Sequence, residues 1–231
     1  MQMFNELSKG IIDIYYAQVL ELGPGITRKI LSILDEREKY VYNRYLLAQK
    51  KVEFLVGRYM LKNLLAYLLG RKPGSIYFNQ NKYGKLCLED TLQDKRQGKI
   101  EFNLSHSHGM VACAVVLEHE VGIDTERLDG NLLDVAKRVF APGEVEYIFN
   151  HEERFQNDVA YRIWTLKEAY IKAKGIGLSM DLRSFNVLKV EEMFFETIRQ
   201  KPDFYLSVAV KKNGESQFKS RVKEISDLVQ A

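Results

Sequence analysis

The stretch VGIDTERL, residues 121–128, alternates apolar Val121 and Ile123 with Gly122 and Asp124. Alternation at period two predicts a strand with one face in a core. Asp124 and Glu126 stand two positions apart, so on a regular strand they point the same way, roughly 6–7 Å from each other. Two carboxylates on one face repel. Their oxygens can also converge on one hard cation, since Mg2+ takes one or two carboxylates together with water and phosphate oxygens. Taken alone, the pair reads more readily as a solvated face beside a turn.

Working outward, the segments around it carry hairpin signals. SIYFNQ and KLCLE flank the turn NKYG, and KIEFNLS and GMVACAVVLE flank HSH. A tight turn at His119-Glu120 then leads into the strand that starts at Val121. Further upstream, GIIDIYYAQV is rich in β-branched and aromatic residues and predicts a first strand. Residues 34–70 are helical in character, with Asp35 and Glu38 spaced as a capping box and with Gly70 and Pro73 as the stop. The segment is long for one helix, so two helices meeting in the forties are expected. Downstream, LLDVAKRVF reads as helical, APGE starts another helix, and DVAYRIWTLKEAYIKAKGIG is a strong helix stopped by Gly175 and Gly177. FNVLKV and FYLSVAV read as late strands. Each half runs helices and then antiparallel strands. The expectation is an α+β protein of two similar lobes, residues 1–118 and 119–231.

The chain has 231 residues, 46% hydrophobic and 28% charged, with a net charge of +3. That is an ordinary globular balance, and the charge is too small to imply a nucleic-acid partner. The N-terminus lacks a long apolar stretch behind a basic start, and no run of roughly 18 apolar residues occurs. A cytoplasmic protein with no membrane partner is expected. Cys87 and Cys113 lie in apolar runs and read as reduced thiols.

Four constellations carry possible chemistry. Asp124 and Glu126 are the first. In WTLKEAYIKAKG, Trp164, Glu168 and Lys172 fall at i, i+4 and i+8 along one helix stripe, while Lys167 is rotated away. Glu168 and Lys172 are also well ordered for an intrahelical pair worth about 0.2–0.5 kcal/mol. In FNLSHSHG, a strand ends in Ser105 and His106, either of which can donate to a phosphate; a polar hairpin end explains them as well. In NKYGKL, Lys85 opens a strand within possible reach of a phosphate. Arg44, Lys50, Lys51 and Arg58 add basic character upstream, as solvated helix faces commonly do. His106 and His108 lack further ligands at zinc spacing, and neither serine sits in a G-x-S-x-G elbow. The shared theme is three carboxylates for a hard metal with lysine, imidazole and hydroxyl for phosphates. That is an inventory for phosphoryl transfer without a P-loop.

In order and spacing, NKYGKL, FNLSHSHG, VGIDTER, AKRVFAPGEVEYI and WTLKEAYIKAKGIGL resemble the 4'-phosphopantetheinyl transferases of the larger, surfactin-synthetase-activating type. FLVGRYMLKNLL resembles that family's GR-x-LL segment. The resemblance implies a pseudo-dimer of two α+β lobes, monomeric as a chain, with coenzyme A in the cleft between them. It implies transfer of the phosphopantetheine arm to a serine of an apo acyl or peptidyl carrier protein in fatty-acid, polyketide or nonribosomal-peptide synthesis. Asp124, Glu126 and Glu168 match the family's magnesium-binding acids, and Glu168 its candidate base. Lys172 matches a lysine on the pyrophosphate; Lys85, Ser105 and His106 match positions on coenzyme A phosphates. Arg44, Lys51 and Arg58 are candidates for the adenosine 3'-phosphate. Leu86 departs from the family, which usually has proline after the GK. Two other readings use the same acids: a Mg2+-dependent phosphoanhydride hydrolase and a catalytically silent coenzyme-A-binding module.

Overall fold

The computed structural model describes residues 4–92, 98–200, 203–214 and 217–225. The chain opens with β1 (Ile11–Gln18), followed by α1 (Pro24–Ile33), α2 (Glu36–Arg44) and α3 (Ala48–Leu69). A short hairpin of β2 (Phe78–Gln80) and β3 (Leu86–Leu88) precedes β4 (Ile100–Ser107), β5 (Met110–Leu117) and β6 (Val121–Arg127). Then come α4 (Ala136–Val139), α5 (Pro142–Phe149), α6 (Glu153–Lys174), β7 (Met193–Gln200), β8 (Phe204–Lys211) and β9 (Lys219–Glu224). Among the described residues, no helix is long and apolar enough to cross a membrane.

Two sheets form the centre. The first has the order β4-β5-β1-β9 and the second β6-β8-β7. One face of the first sheet, with Tyr15, Val111, Cys113 and Phe102, packs under Leu61, Leu64 and Leu65 of α3. Its other face, with Ile12, Ile14, Ala112 and Val116, packs on Val121, Ile123, Leu206 and Val208 of the second sheet. The outer face of the second sheet is closed by α6, where Ala169, Tyr170 and Ala173 meet Ala209 and Met193. The layers therefore run helix, sheet, sheet, helix. The α3 and α6 helices match in form: each has 22 residues and ends at a left-handed glycine, Gly70 with φ 61° and Gly175 with φ 64°. Glycine adopts that conformation without a Cβ penalty. This is the α+β architecture of two similar layered halves that the sequence predicts.

The capping box forms as predicted: Asp35 Oδ1 accepts from the Glu38 N–H at 2.8 Å, and Glu38 Oε2 accepts from the Asp35 N–H at 3.1 Å. Two helices do meet in the forties. Four elements depart from expectation. FNVLKV is not a strand; Val187–Lys189 is a 3-10 turn. Its backbone donors go elsewhere, Leu188 N–H to the Asn186 side chain at 3.0 Å and Val187 N–H to Glu144 Oε1 at 2.7 Å, so no ladder can form there. The strand of that region is β7, and α1 is a helix not read from the sequence. Strand β9 crosses back to lie parallel to β1, with Ile14 opposite Val222. Arg221 anchors it with two 2.7 Å bonds to the buried Asp13 carboxylate. A division at 118/119 leaves this strand on the far side from the sheet it completes.

Candidate active site

The site forms where β4, the edge of one sheet, runs along β6, the edge of the other. The polar face of β4 stitches them together. Asn103 Oδ1 accepts the Ile123 N–H at 3.0 Å, Ser105 Oγ accepts the Thr125 N–H at 3.3 Å, and Ser107 Oγ donates to Glu126 Oε2 at 2.8 Å. Strand β6 stays regular through the acids: Asp124, Thr125 and Glu126 pair in unbroken register with Ser207, Leu206 and Tyr205. Asp124 and Glu126 therefore share a face, with no bulge at Thr125 to turn one away.

Gly122 brings the third acid to them. A Cβ at Gly122 would stand 2.1 Å from the Ala169 carbonyl oxygen and 2.3 Å from the Ala173 nitrogen. Only a glycine lets α6 press its backbone onto β6, and the stripe bearing Glu168 and Lys172 then lies beside Asp124. Lys172 Nζ is 2.6 Å from Asp124 Oδ1 and 2.8 Å from Ser105 Oγ, which itself donates to Asp124 Oδ1 at 3.1 Å. Asp124 Oδ2 is buried with no hydrogen-bond partner.

The electrostatics follow from this crowding. Burial, and then the Asp124 carboxylate, hold the Glu126 carboxyl above the usual range, against hydrogen bonds from Ser107 and Trp164. Burial and Asp124 also raise Glu168, which Lys172 pulls back and Glu126 pushes up again. Three mutually repelling carboxylates, one with an orphaned buried oxygen, leave negative charge here that Lys172 only partly offsets. Among the described residues, no three acid, histidine or cysteine groups are arranged so that they could hold a metal ion as they stand. The acids stand apart, and the Lys172 ammonium holds Asp124 Oδ1.

A cleft of about 340 Å³ opens beside this point, lined in part by Tyr45, Phe54, Arg58, Lys85, His106 and Lys172. Its basic residues differ in how they are held. Lys85 Nζ donates to two backbone carbonyls, Val121 and Ala173, each at 3.0 Å, and burial pushes its pKa down. With Asn81 Nδ2 on the Gly175 carbonyl at 2.7 Å, it bolts the β2–β3 hairpin to the end of α6. Arg58 is buried over the Phe54 ring, its Nε 3.0 Å from Glu38 Oε1 but misaligned for a hydrogen bond. Arg44 and Lys51 lie over the rings of Tyr40 and Tyr42. His106 Nδ1 sits 2.9 Å from Glu53 Oε2. Lys167 faces away from the acids and is fully buried, with Nζ at 2.8 and 2.7 Å from the two Glu144 oxygens and 2.7 Å from the Phe185 carbonyl.

Sequence reasoning brought Asp124, Glu126, Glu168, Lys172 and Ser105 to one point, and the structure gathers them there. It missed Asn103, Ser107 and Glu53. The alternation Asn103, Ser105, Ser107 was the available signal for the first two; Glu53 sits in an apolar run with no local signal.

Residues 120–222 match the model of the 4'-phosphopantetheinyl transferase superfamily, and residues 27–118 match the model described as 4'-phosphopantetheinyl transferase, N-terminal. The 4'-phosphopantetheinyl transferase HetI of Nostoc sp. is 35% identical over 65% of this chain and 63% of its own length. A 4'-phosphopantetheinyl transferase of Bacillus subtilis is 30% identical over 72% of this chain and 71% of its own. The 4'-phosphopantetheinyl transferase Sfp of Bacillus subtilis strain 168 is 30% identical over 69% and 68%. The chain thus belongs to the 4'-phosphopantetheinyl transferase superfamily, as an enzyme of the Sfp type.

Proposed function

We propose that this enzyme transfers the 4'-phosphopantetheine arm of coenzyme A to a serine hydroxyl of an apo carrier protein, releasing holo carrier and adenosine 3',5'-bisphosphate. One observation carries the reading: the unpartnered, buried Asp124 Oδ2 beside Glu126, Glu168 and the Lys172 ammonium, at the wall of a cleft. The donor set is all carboxylate oxygen, which suits Mg2+. Asp124, Glu126 and Glu168 would hold that ion, which when bound supplies positive charge to the pyrophosphate.

The chain's own residues do the rest. Lys172 lies close enough to exchange Asp124 Oδ1 for a phosphate oxygen, where its charge offsets that developing on the leaving phosphate. Ser105 and His106 orient the phosphates from the end of β4, and Lys85 adds fixed positive charge to the wall. Arg58, which lines the cleft, and Arg44 and Lys51 on the neighbouring helices are the candidates for the adenosine 3'-phosphate. Glu168 takes the serine proton as general base. The serine oxygen bonds to the β-phosphorus as the bond from that phosphorus to the bridging oxygen breaks, and the electron pair leaves with the adenosine bisphosphate. The two halves supply both walls of the cleft, so a monomer suffices, acting in the cytoplasm on a soluble carrier.

The test is to mix the protein with coenzyme A, Mg2+ and an apo carrier, then weigh the carrier by mass spectrometry. A phosphopantetheine adduct on the serine is expected. Free phosphopantetheine with an unmodified carrier would make the protein a hydrolase instead, and binding without either product a silent module.

A further inference from the structure

Glu53 lies in the apolar run VEFLV of α3, and its side chain is wholly buried. A buried carboxylate is costly unless it is paired and hydrogen-bonded. Three donors meet this one: Lys50 Nζ at 2.7 Å and His106 Nδ1 at 2.9 Å on Oε2, and the Gly109 N–H at 2.8 Å on Oε1. Gly109 belongs to the turn joining β4 and β5, where it takes φ 83° and His108 takes φ 48°. Glu53 thus ties α3 to that turn and to the imidazole two residues before it begins to bend.

We infer that Glu53 is a positioning residue that fixes the His106 ring with Nδ1 protonated, leaving Nε2 to meet a phosphate oxygen of coenzyme A in the cleft. Burial alone would raise the Glu53 carboxyl, but its bonds from His106, Lys50 and the Gly109 N–H together bring it down to about 2. It is therefore ionised and can only accept, so the hydrogen between it and His106 belongs to Nδ1. His106 itself lines the cleft. A phosphate oxygen only accepts, so the ring that meets one carries a hydrogen on Nε2 as well, a cation held between two anions. Glu53 stabilises that charge from behind, in the way a carboxylate behind a histidine orients it in other sites.

This rests on coenzyme A being the ligand of the cleft, and the experiment separates the two ideas. A nitrogen-15 spectrum of the wild-type imidazoles, assigned by comparison with His106→Ala, is expected to show neutral His106 as the Nδ1–H form. The Nε2–H form would overturn the inference, whatever the enzyme acts on. Glu53→Gln keeps the shape and an acceptor for Gly109 but removes the charge. Its KM for coenzyme A is expected to rise about tenfold, the scale of one hydrogen bond to a charged group, with kcat within about twofold. Adding Glu53→Gln to His106→Ala should cost nothing further. An unchanged KM in Glu53→Gln, or losses that add in the double variant, would also sink it. Failure of the wild type to transfer at all would refute the proposed function, while the spectrum would still decide the tautomer.

Discussion

Lys172 Nζ lies 2.6 Å from Asp124 Oδ1, bridging the last turns of α6 and the middle of β6. The bond gives the most crowded carboxylate a cation, and the same ammonium is the one proposed to meet the pyrophosphate. Lys172→Gln separates these roles. The variant is expected to show a KM for coenzyme A raised about tenfold or more, from loss of a charge-assisted contact, and to reach half-maximal rate at lower Mg2+, since no ammonium competes for Asp124. Steady-state rates over a Mg2+ series check both; unchanged kinetics with coenzyme A would end the phosphate role of Lys172.

Asp124→Asn removes the central acid while keeping its size. Transfer is expected to fall at least a hundredfold, and the stabilisation that Mg2+ gives the wild type in a thermal melt should vanish. The fold should survive, because the substitution also relieves repulsion with Glu126 and Glu168. A variant that transfers normally at ordinary Mg2+ would contradict the metal assignment.

Gly122→Ala tests how α6 is held. The added carbon would fall 2.1 Å from the Ala169 oxygen, a contact only backbone movement can relieve. Overpacking of this kind costs about 3 kcal/mol, and the shift of α6 should also lower kcat by carrying Glu168 away from Asp124. Denaturant unfolding and a rate measurement read the two effects. A fully stable, fully active alanine variant would show that α6 does not rest on β6 as described.

Lys167 neighbours Glu168 in the chain but belongs to the core. Lys167→Met would strand the Glu144 carboxylate, which is also the acceptor for the Ala141 and Val187 N–H groups. Breaking one partner of a buried pair costs about 3–5 kcal/mol. Urea unfolding should show that loss, with the KM for coenzyme A of the remaining folded enzyme little changed.

Acid stability reports on Glu53. Its carboxyl falls from the ordinary 4.5 to about 2 on folding, so the folded state holds fewer protons between those values and stability drops as pH falls through that window. The contribution is on the order of 3 kcal/mol at neutral pH and is gone below pH 2. The stability gap between wild type and Glu53→Gln should therefore close as pH is lowered from 4.5 to 2. A gap constant across that range would mean Glu53 is not ionised in the fold.

Local chemistry was legible in the sequence and long-range geometry was not. The Asp35–Glu38 capping box, the helix stops at Gly70 and Gly175, the β4–β5 hairpin and the strand β6 all form as read, although β6 is buried on both faces through Thr125. These depend on neighbours a few residues away. FNVLKV misled because its β-branched composition says nothing of Glu144, 43 positions earlier, which takes the Val187 N–H. Strand β9, KSRVKE, is too polar to announce itself, since it sits at a sheet edge with most side chains exposed. In the site, residue type and spacing pointed to Asp124, Glu126, Glu168 and Lys172. Which atoms they meet was not readable, as Lys85 shows: read as a candidate for a phosphate, it donates to the Val121 and Ala173 carbonyls.

Strand β9 has a consequence for synthesis. Arg221 and Asp13 are 208 positions apart, so the first sheet keeps an open edge at β1 until Lys219–Glu224 has left the ribosome. Contacts that distant are slow to close, and an unpaired strand edge meanwhile is a template for association with other chains. Loss of the Arg221 clamp should therefore show first as poor yield and aggregation during expression, before any effect on the finished enzyme's rate.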